Sequence, residues 1–448
     1  MANIYVDFNK TVGRIKPMHA VGQPPFTTGH GLLDVSPMQI LRDAHIPYSR
    51  LHDVGGAFGS YRYVDIPNIF RDFDADENDP ASYDFTFTDV LIKGLMEYGV
   101  APYFRLGVTI ENQSRIKAYR IHPPKDFGKW ARICEHVVRH YNEGWADGFF
   151  FDIKYWEIWN EPENRADPKT NQMWTGTAEQ YYELYDVAAK HLKKCFGDKI
   201  KVGGYAACGF YGVLGYPERY GMNLEKREGH RFTDEKEIYR VDFFLGFIEY
   251  IKKHGSPIDY FSWHTYGDVD VISVGADFVD KVLTENGYGG LETHLNEWNL
   301  SHERSINLGN AAGATSVMIT MQHKKTDMLM YYDARFVSVS AYGGFYDAVT
   351  RQPSCVYHAF RAFGELYALG NEVACSTEQE GLYALAAGDG VKKAVLMTNR
   401  GEDTKVKLDI PDGFYVYLID RDNLTVKTEL NPKEFTLKQN TVALVKNY

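Results

Sequence analysis

Cysteine is scarce in this sequence and follows no pairing pattern. Its 448 residues include five, Cys134, Cys195, Cys208, Cys355 and Cys375. They are scattered, odd in number and never spaced as CxxC. That excludes a zinc ribbon or a disulfide framework and fits a reducing cytoplasm. Long apolar runs are missing too. No stretch reaches the ~18 residues that a membrane-spanning helix needs. The opening "MANIYVDFNKTVGRIK" lacks the apolar core of a signal peptide, so a cytoplasmic location is expected. Positive charge is in short supply, with 49 Lys and Arg against 60 Asp and Glu and a formal net charge of -11. Phosphate binding needs a basic surface, so nucleic acid is not an expected partner. Three chemical signatures are absent as well: a Gly-rich phosphate loop after a strand, a GxSxG elbow and an HExxH pair. The acidic stretch "DFDADENDPASY" at 72–83 puts Asp72, Asp74 and Asp76 at alternate positions, like a calcium loop. It has Glu77 where such a loop needs glycine and Tyr83 where it needs Glu, so it reads instead as a rim loop in contact with substrate.

Aromatic residues are plentiful, at 15% with 32 Tyr. A large core of half-buried tyrosines accounts for this; a cleft whose aromatic faces stack on sugars is the functional alternative. Short apolar runs alternate with amphipathic helices. Eight strands are expected near 18–22, 47–52, 101–106, 155–160, 201–205, 259–264, 291–296 and 328–332. Between them, Trp130, Ile133, Cys134, Val137, Val138 and Tyr141 recur on one face of a helix. Thr177 and Gln180 form a capping box, with Gly197 at the far end of that helix. This alternation predicts a (β/α)8 TIM barrel over 10–370. After 370 the pattern changes to short strands and Gly-rich turns. An all-β module over 371–448 is expected, a β-sandwich joined by an early strand at 3–9.

In such a barrel, reactive groups sit at the C-terminal ends of the strands. The fourth strand runs through "KYWEIWNEPEN" into Asn160, Glu161 and Pro162. The seventh, "LETHLNEWN", runs into Glu297 and Trp298. Pro162 disfavours helical geometry at Glu161, so an extended stretch is expected there. Strands four and seven face each other across an eight-stranded barrel, so the two acids meet over its mouth. Alone, either Glu reads as a salt-bridged or solvated rim residue. Together they are the pair that glycoside hydrolysis requires, one protonating the leaving oxygen and the other attacking or activating water.

Asn-Glu-Pro after strand four and Glu-Trp after strand seven resemble the clan A glycoside hydrolases. With "YWEIWNEP", "WHTY" at 263–266 and "NEWN" at 296–299, the chain is most similar to glycoside hydrolase family 39, the β-xylosidase and α-L-iduronidase family. The resemblance extends over nearly the whole chain. It implies that Glu161 is the acid/base, Glu297 the nucleophile and Asn160 the amide that binds the sugar 2-hydroxyl. Tyr266 falls where a tyrosine hydrogen-bonds the nucleophile, and His264 lines the site. Arg50 and His52, in "YSRLHD", fall at rim positions that orient the nucleophile or a hydroxyl. His19 reads equally as a site or a core residue, and Trp298 as a stacking platform or a core plug.

The resemblance implies carboxyl groups about 5–5.5 Å apart and a retaining double displacement. Repulsion at that distance is roughly 3 kcal/mol at an effective dielectric near 20, about two pK units, which would keep Glu161 protonated beside an ionised Glu297. The long 53–86 and 205–240 connections favour exo action on a β-xyloside-like plant or bacterial glycan. The stretch 331–353 departs from the β-xylosidase pattern, which leaves the sugar open. The alternatives are another clan A glycosidase, endo-glucanase-like or arabinosidase-like, and a non-catalytic carbohydrate-binding barrel. Carbohydrate is the expected partner, with no metal or organic cofactor and no membrane; association into a homo-oligomer stays open.

Overall fold

The computed structural model describes residues 1–29, 32–56, 62–110, 119–300, 306–337, 344–347 and 349–448. Eight parallel strands close into a barrel. In chain order they are Ala20–Gly22, Tyr48–Arg50, Ala101–Leu106, Tyr155–Ile158, Lys201–Ala207, Tyr260–Tyr266, Glu292–Asn299 and Met328–Tyr331. The first pairs with both the second and the eighth, which closes the ring. Strands two and four end earlier than their apolar runs suggest, because the chain bends out of the sheet where the polar rim begins, and strand one starts two residues later than expected.

Helices cover the outside. In the helix Phe127–Glu143 the six apolar residues of the expected stripe are all fully buried. Burial of each such side chain contributes roughly 1.5–3 kcal/mol relative to exposure, so the stripe fixes which face docks. Asp126 caps this helix through the Lys129 N–H, and Gly144 ends it at φ +74. The capping box at Thr177 and Gln180 is present at the start of Ala178–Phe196. No helix among the described residues is long and apolar enough to cross a membrane.

The C-terminal strands form one nine-stranded sheet that also contains the N-terminal strand Ala2–Arg14. That strand is longer than expected. It pairs antiparallel with Asn371–Ser376 and parallel with Thr404–Asp409. Period-two alternation gives the sheet two apolar faces. Leu385, Ala387, Ala394, Leu396, Val442 and Leu444 join the main core beneath the barrel helices. Ala386, Val395, Met397, Ala443 and Val445 form a second core with Ile4, Val406, Leu408, Phe435 and Leu437. The sheet is folded over itself into two layers, which is how one hydrogen-bonded sheet makes a sandwich. The acidic loop at 72–79 is tied to the barrel: Glu77 pairs with Arg132 at 2.8 Å and Lys129 at 3.3 Å, and Asp74 with Lys125 at 3.2 Å. These contacts with the helix Phe127–Glu143 and with Lys125 just before it account for the acidity of Glu77 and Asp74.

Candidate active site

The fourth strand does not run extended into Glu161. Trp159 has φ +73 and Glu161 φ +47, both left-handed. Each such non-glycine residue costs on the order of 1–3 kcal/mol and persists only when its surroundings impose it. Here the Trp159 N–H donates to the Leu106 carbonyl at 2.8 Å and the Glu161 N–H to the Ala206 carbonyl at 3.1 Å. The neighbouring strands thus grip the turn from both sides. Pro162 excludes the right-handed helical region but not this one, which is why the extended expectation failed.

Glu297 ends on two donors. The Tyr266 hydroxyl donates to Oε1 at 2.6 Å, and the Arg50 guanidinium reaches Oε2 at 3.2 Å. Arg50 is itself fully buried. Its Nε donates to Glu157 Oε2 at 2.8 Å and its Nη2 to Asn160 Oδ1 at 2.6 Å. Desolvation alone would lower the pKa of Arg50, but Glu157 and Glu297 raise it, so the guanidinium stays charged. Ser262 and Asn296 donate to the other oxygen of Glu157. A buried ion cluster of this kind holds only when every member is partnered.

Glu161 faces the same space. His264 Nδ1 lies 2.8 Å from its Oε1, and Asn164 Nδ2 donates to Oε2 at 3.2 Å. A carboxylate oxygen of Glu161, one of Glu297 and a ring nitrogen of His264 all lie within 4.8 Å of one another. Burial pushes the Glu161 carboxyl up, but His264, then Arg240 and Asn164, outweigh it and pull it down to about 2. This reverses the expectation that repulsion from Glu297 keeps Glu161 protonated. Arg50 and Tyr266 absorb the charge of Glu297, while His264 Nδ1 and the Asn164 amide hold the two oxygens of Glu161. Two acids and a histidine at this spacing could reach a cation, but the Arg50 guanidinium already occupies the Glu297 side. A second mixed cluster, Glu135, His191 and Cys195, lies on the outer helices, where Glu135 is already bonded to His191 at 2.6 Å and Arg139 at 2.7 Å.

The structure brings Arg50, Asn160, Glu161, His264, Tyr266 and Glu297 together. His52 stands beside them, its Nε2 3.2 Å from Asp53 Oδ1. Burial first, then the Arg50 charge, pushes it well below the usual histidine range. His19 is not part of the site. It precedes the first strand, at the opposite end of the barrel, with Nε2 2.9 Å from the His45 carbonyl and its ring against Phe363 and Tyr367. Burial lowers it to about 3, so it is a neutral packing residue. Trp298 is no stacking platform either. Glu297 points into the barrel, so the next residue points out. Trp298 is fully buried against Tyr331 and Phe360.

Sequence reasoning missed Glu157, Asn164, Glu163, Arg240 and Gln23. The first had a signal: a lone charge in an apolar strand, in register with the inward positions. Gln23, at φ +50 after the first strand, is buried with neither amide atom hydrogen-bonded among the described residues. His52 Nδ1 and His264 Nε2 are likewise buried without partners.

The family model for glycosyl hydrolases family 39 matches residues 61–285, half of the chain. A β-xylosidase from Geobacillus stearothermophilus is 26% identical over 164 residues, 33% of this chain and 31% of that protein. A β-xylosidase from Caldicellulosiruptor saccharolyticus is 32% identical over 133 residues, 28% of this chain and 25% of that protein. The matched stretches therefore span about a third of these relatives or less. Among solved structures, a glucosidase from Croceicoccus marinus superposes with a TM-score of 0.76 at 20% identity, over 100% of this chain and 98% of that one. A family 39 β-xylosidase from Caulobacter crescentus superposes with a TM-score of 0.67 at 17% identity, over 99% of each chain. At these identities the superpositions establish the fold.

Proposed function

The chain belongs to glycosyl hydrolase family 39, and from that premise we propose that it is a retaining glycoside hydrolase. The proposed substrate is a β-xyloside-like plant or bacterial glycan, cleaved from its end. Glu297 is the nucleophile and Glu161 the acid/base. One observation carries the reading: carboxylate oxygens from the ends of strands four and seven lie within 4.8 Å of each other. Inverting enzymes hold their carboxyl groups about 6.5–9.5 Å apart to admit a water, and retaining ones about 5–5.5 Å.

The chemistry follows from the partners of each acid. Tyr266 and Arg50 hold Glu297 as a carboxylate aimed at the anomeric carbon. As its oxygen bonds to that carbon, the bond to the leaving oxygen breaks. The leaving oxygen takes the proton shared across the 2.8 Å contact between His264 and Glu161. The glycosyl ester has no charge at Glu297. Glu161 then removes a proton from water, the water oxygen bonds to the anomeric carbon, and Glu297 leaves as a carboxylate. Two inversions return the original configuration, and the proton is back where it began. Asn160 and the unpartnered atoms of Gln23, His52 and His264 are the proposed contacts for sugar hydroxyls.

A panel of aryl glycosides, with proton NMR of the first sugar released before it mutarotates, tests this directly. Turnover with retained configuration is expected, β-xylosides being the best substrates. Inverted product would remove Glu297 from its role as nucleophile. No turnover of any glycoside would favour a non-catalytic binding barrel.

A further inference from the structure

Two residues past Glu161, Glu163 is fully buried and has no part in the reaction as written. Its Oε1 accepts the Cys208 N–H at 2.6 Å, and its Oε2 has no hydrogen-bond partner among the described residues. The nearby cation is Arg240, on the helix Glu235–His254; its Nε makes no hydrogen bond among the described residues and its other nitrogens are bonded elsewhere. Nη1 donates to both oxygens of Glu237 at 3.2 Å, and Nη2 to the Asn164 carbonyl at 3.2 Å. One guanidinium thus serves Glu161, Glu163 and Glu237. A buried carboxylate with a single hydrogen bond is costly, whereas a neutral carboxylic acid needs no more.

Resting on the glycosidase reading above, we infer that Glu163 is a positioning residue that works as a neutral acid and, on ionising, holds the proton of the Glu161–His264 pair more tightly. Burial, with the neighbouring Glu161 charge, pushes Glu163 up to about 8, against the Cys208 N–H and Arg240. The titratable groups around it are Glu161 on its own loop, Tyr205 from the fifth strand and Cys208 just after it, Tyr181 and Tyr182 from the helix Ala178–Phe196, and Glu237, Tyr239 and Arg240 from the helix Glu235–His254. Burial keeps those tyrosines and the thiol uncharged at neutral pH and raises Glu237 too. Both Glu237 oxygens accept from Arg240, however, whereas Glu163 Oε2 has no hydrogen-bond partner among the described residues, so the change of charge is assigned to Glu163. When it ionises, its charge opposes loss of the neighbouring proton. The acid form then survives to higher pH.

Glu163→Gln keeps the shape and removes the ionisation. In the variant, the alkaline limb of kcat/KM on an aryl glycoside is expected to move to lower pH by about one unit, with the rate at the optimum near wild type. Stability gives a second readout that needs no turnover. The folded-state pKa of Glu163 lies above its unfolded value of ~4.3, so its contribution is complete below ~4.3 and is lost as the pH rises through about 8. The variant should therefore melt like wild type at pH ~5 and increasingly above it towards pH ~9. An unmoved alkaline limb, or a melting difference that does not change with pH, would overturn the inference. If wild type turns over no glycoside, the glycosidase reading falls. The carboxyl 13C signal of Glu161, assigned with Glu161→Gln, then decides: its alkaline step must shift in Glu163→Gln, and a step that stays put refutes the coupling. If Glu163→Gln fails to fold, infrared difference spectra of wild type between pH ~6 and ~9 must show a buried carboxylic acid losing its proton, and its absence is equally fatal.

Discussion

The two ends of the barrel interior are built on opposite principles. At the C-terminal end lie Arg50, Glu157, Asn160, Glu161, His264 and Glu297, joined by charge-assisted bonds. At the N-terminal end Tyr48, Tyr103, Tyr155, Tyr260, Met328 and Met330 pack with Ala20. Tyr103 stacks on Tyr155 at 5.3 Å and Tyr260 on His294 at 4.8 Å. Five left-handed non-glycine residues lie at the first end, Gln23, Asp53, Trp159, Glu161 and Ala206, while His45 and Asp152 are left-handed on the loops that enter strands two and four at the other. The unpartnered atoms of Gln23, His52 and His264 are there as well. The aromatic end has regular strands throughout. One end is held by charges and left-handed turns around the paired acids, and the other by aromatic packing, in which Tyr260 Oη and His294 Nε2 are also buried without a hydrogen-bond partner among the described residues.

The contrast would break first at Glu161. Glu161→Ala is expected to lose about 10²–10⁴-fold in kcat/KM on substrates with poor leaving groups. An activated leaving group needs no proton, so the first step should be nearly normal, and azide should rescue the second. Alanine keeps the left-handed turn and leaves His264 Nδ1 and the Asn164 amide without their partner, so a loss of stability of about 1–3 kcal/mol is expected alongside. Equal losses for good and poor leaving groups, without azide rescue, would take the acid/base role from Glu161.

The reverse outcome is expected at the other end. Tyr103 is fully buried among Tyr155, Tyr260 and His294. Tyr103→Ala should cost about 3–5 kcal/mol of stability by leaving a cavity. Kinetics of the folded enzyme should stay close to wild type. Chemical denaturation reads the first quantity and steady-state assays the second. A large fall in kcat/KM without a fall in stability would erase the distinction between the ends.

The two ends also differed in how far the sequence could be read. All eight strands were legible because each is a short apolar run between amphipathic helices. Glu161 and Glu297 stood out because each follows such a run. The local geometry between them was not legible. Nothing in "WNEPEN" announces a left-handed Glu161, which depends on carbonyls from the strands on either side. Nor does local sequence place Arg240 near Glu161, 79 residues away. His19 and Trp298 show the same limit from the other side. Which end of a strand a histidine occupies, and which face a tryptophan takes, become clear only once the register is fixed.

The smallest expected effect sharpens the comparison most, because Tyr266 is a tyrosine placed at the charged end. Its hydroxyl donates to Glu297 Oε1 at 2.6 Å, while Tyr211 accepts the Tyr266 N–H at 2.6 Å and fixes its backbone. Phe at 266 should therefore keep its place and lose only the donor. A hydrogen bond to a charged group contributes about 1.5–3 kcal/mol, so Tyr266→Phe should lower kcat/KM roughly 10–100-fold. The loss should appear chiefly in kcat, since the phenol acts on the nucleophile and not on the bound sugar. Arg50 still holds the other carboxylate oxygen, which is why the loss stops well short of that for Glu161→Ala on poor leaving groups. Thermal stability should hardly move, in contrast to Tyr103→Ala. If kcat/KM is unchanged, Arg50 alone sets the geometry of Glu297. If stability falls as far as in Tyr103→Ala, Tyr266 belongs with the aromatic packing, and the division between the ends does not follow the charge.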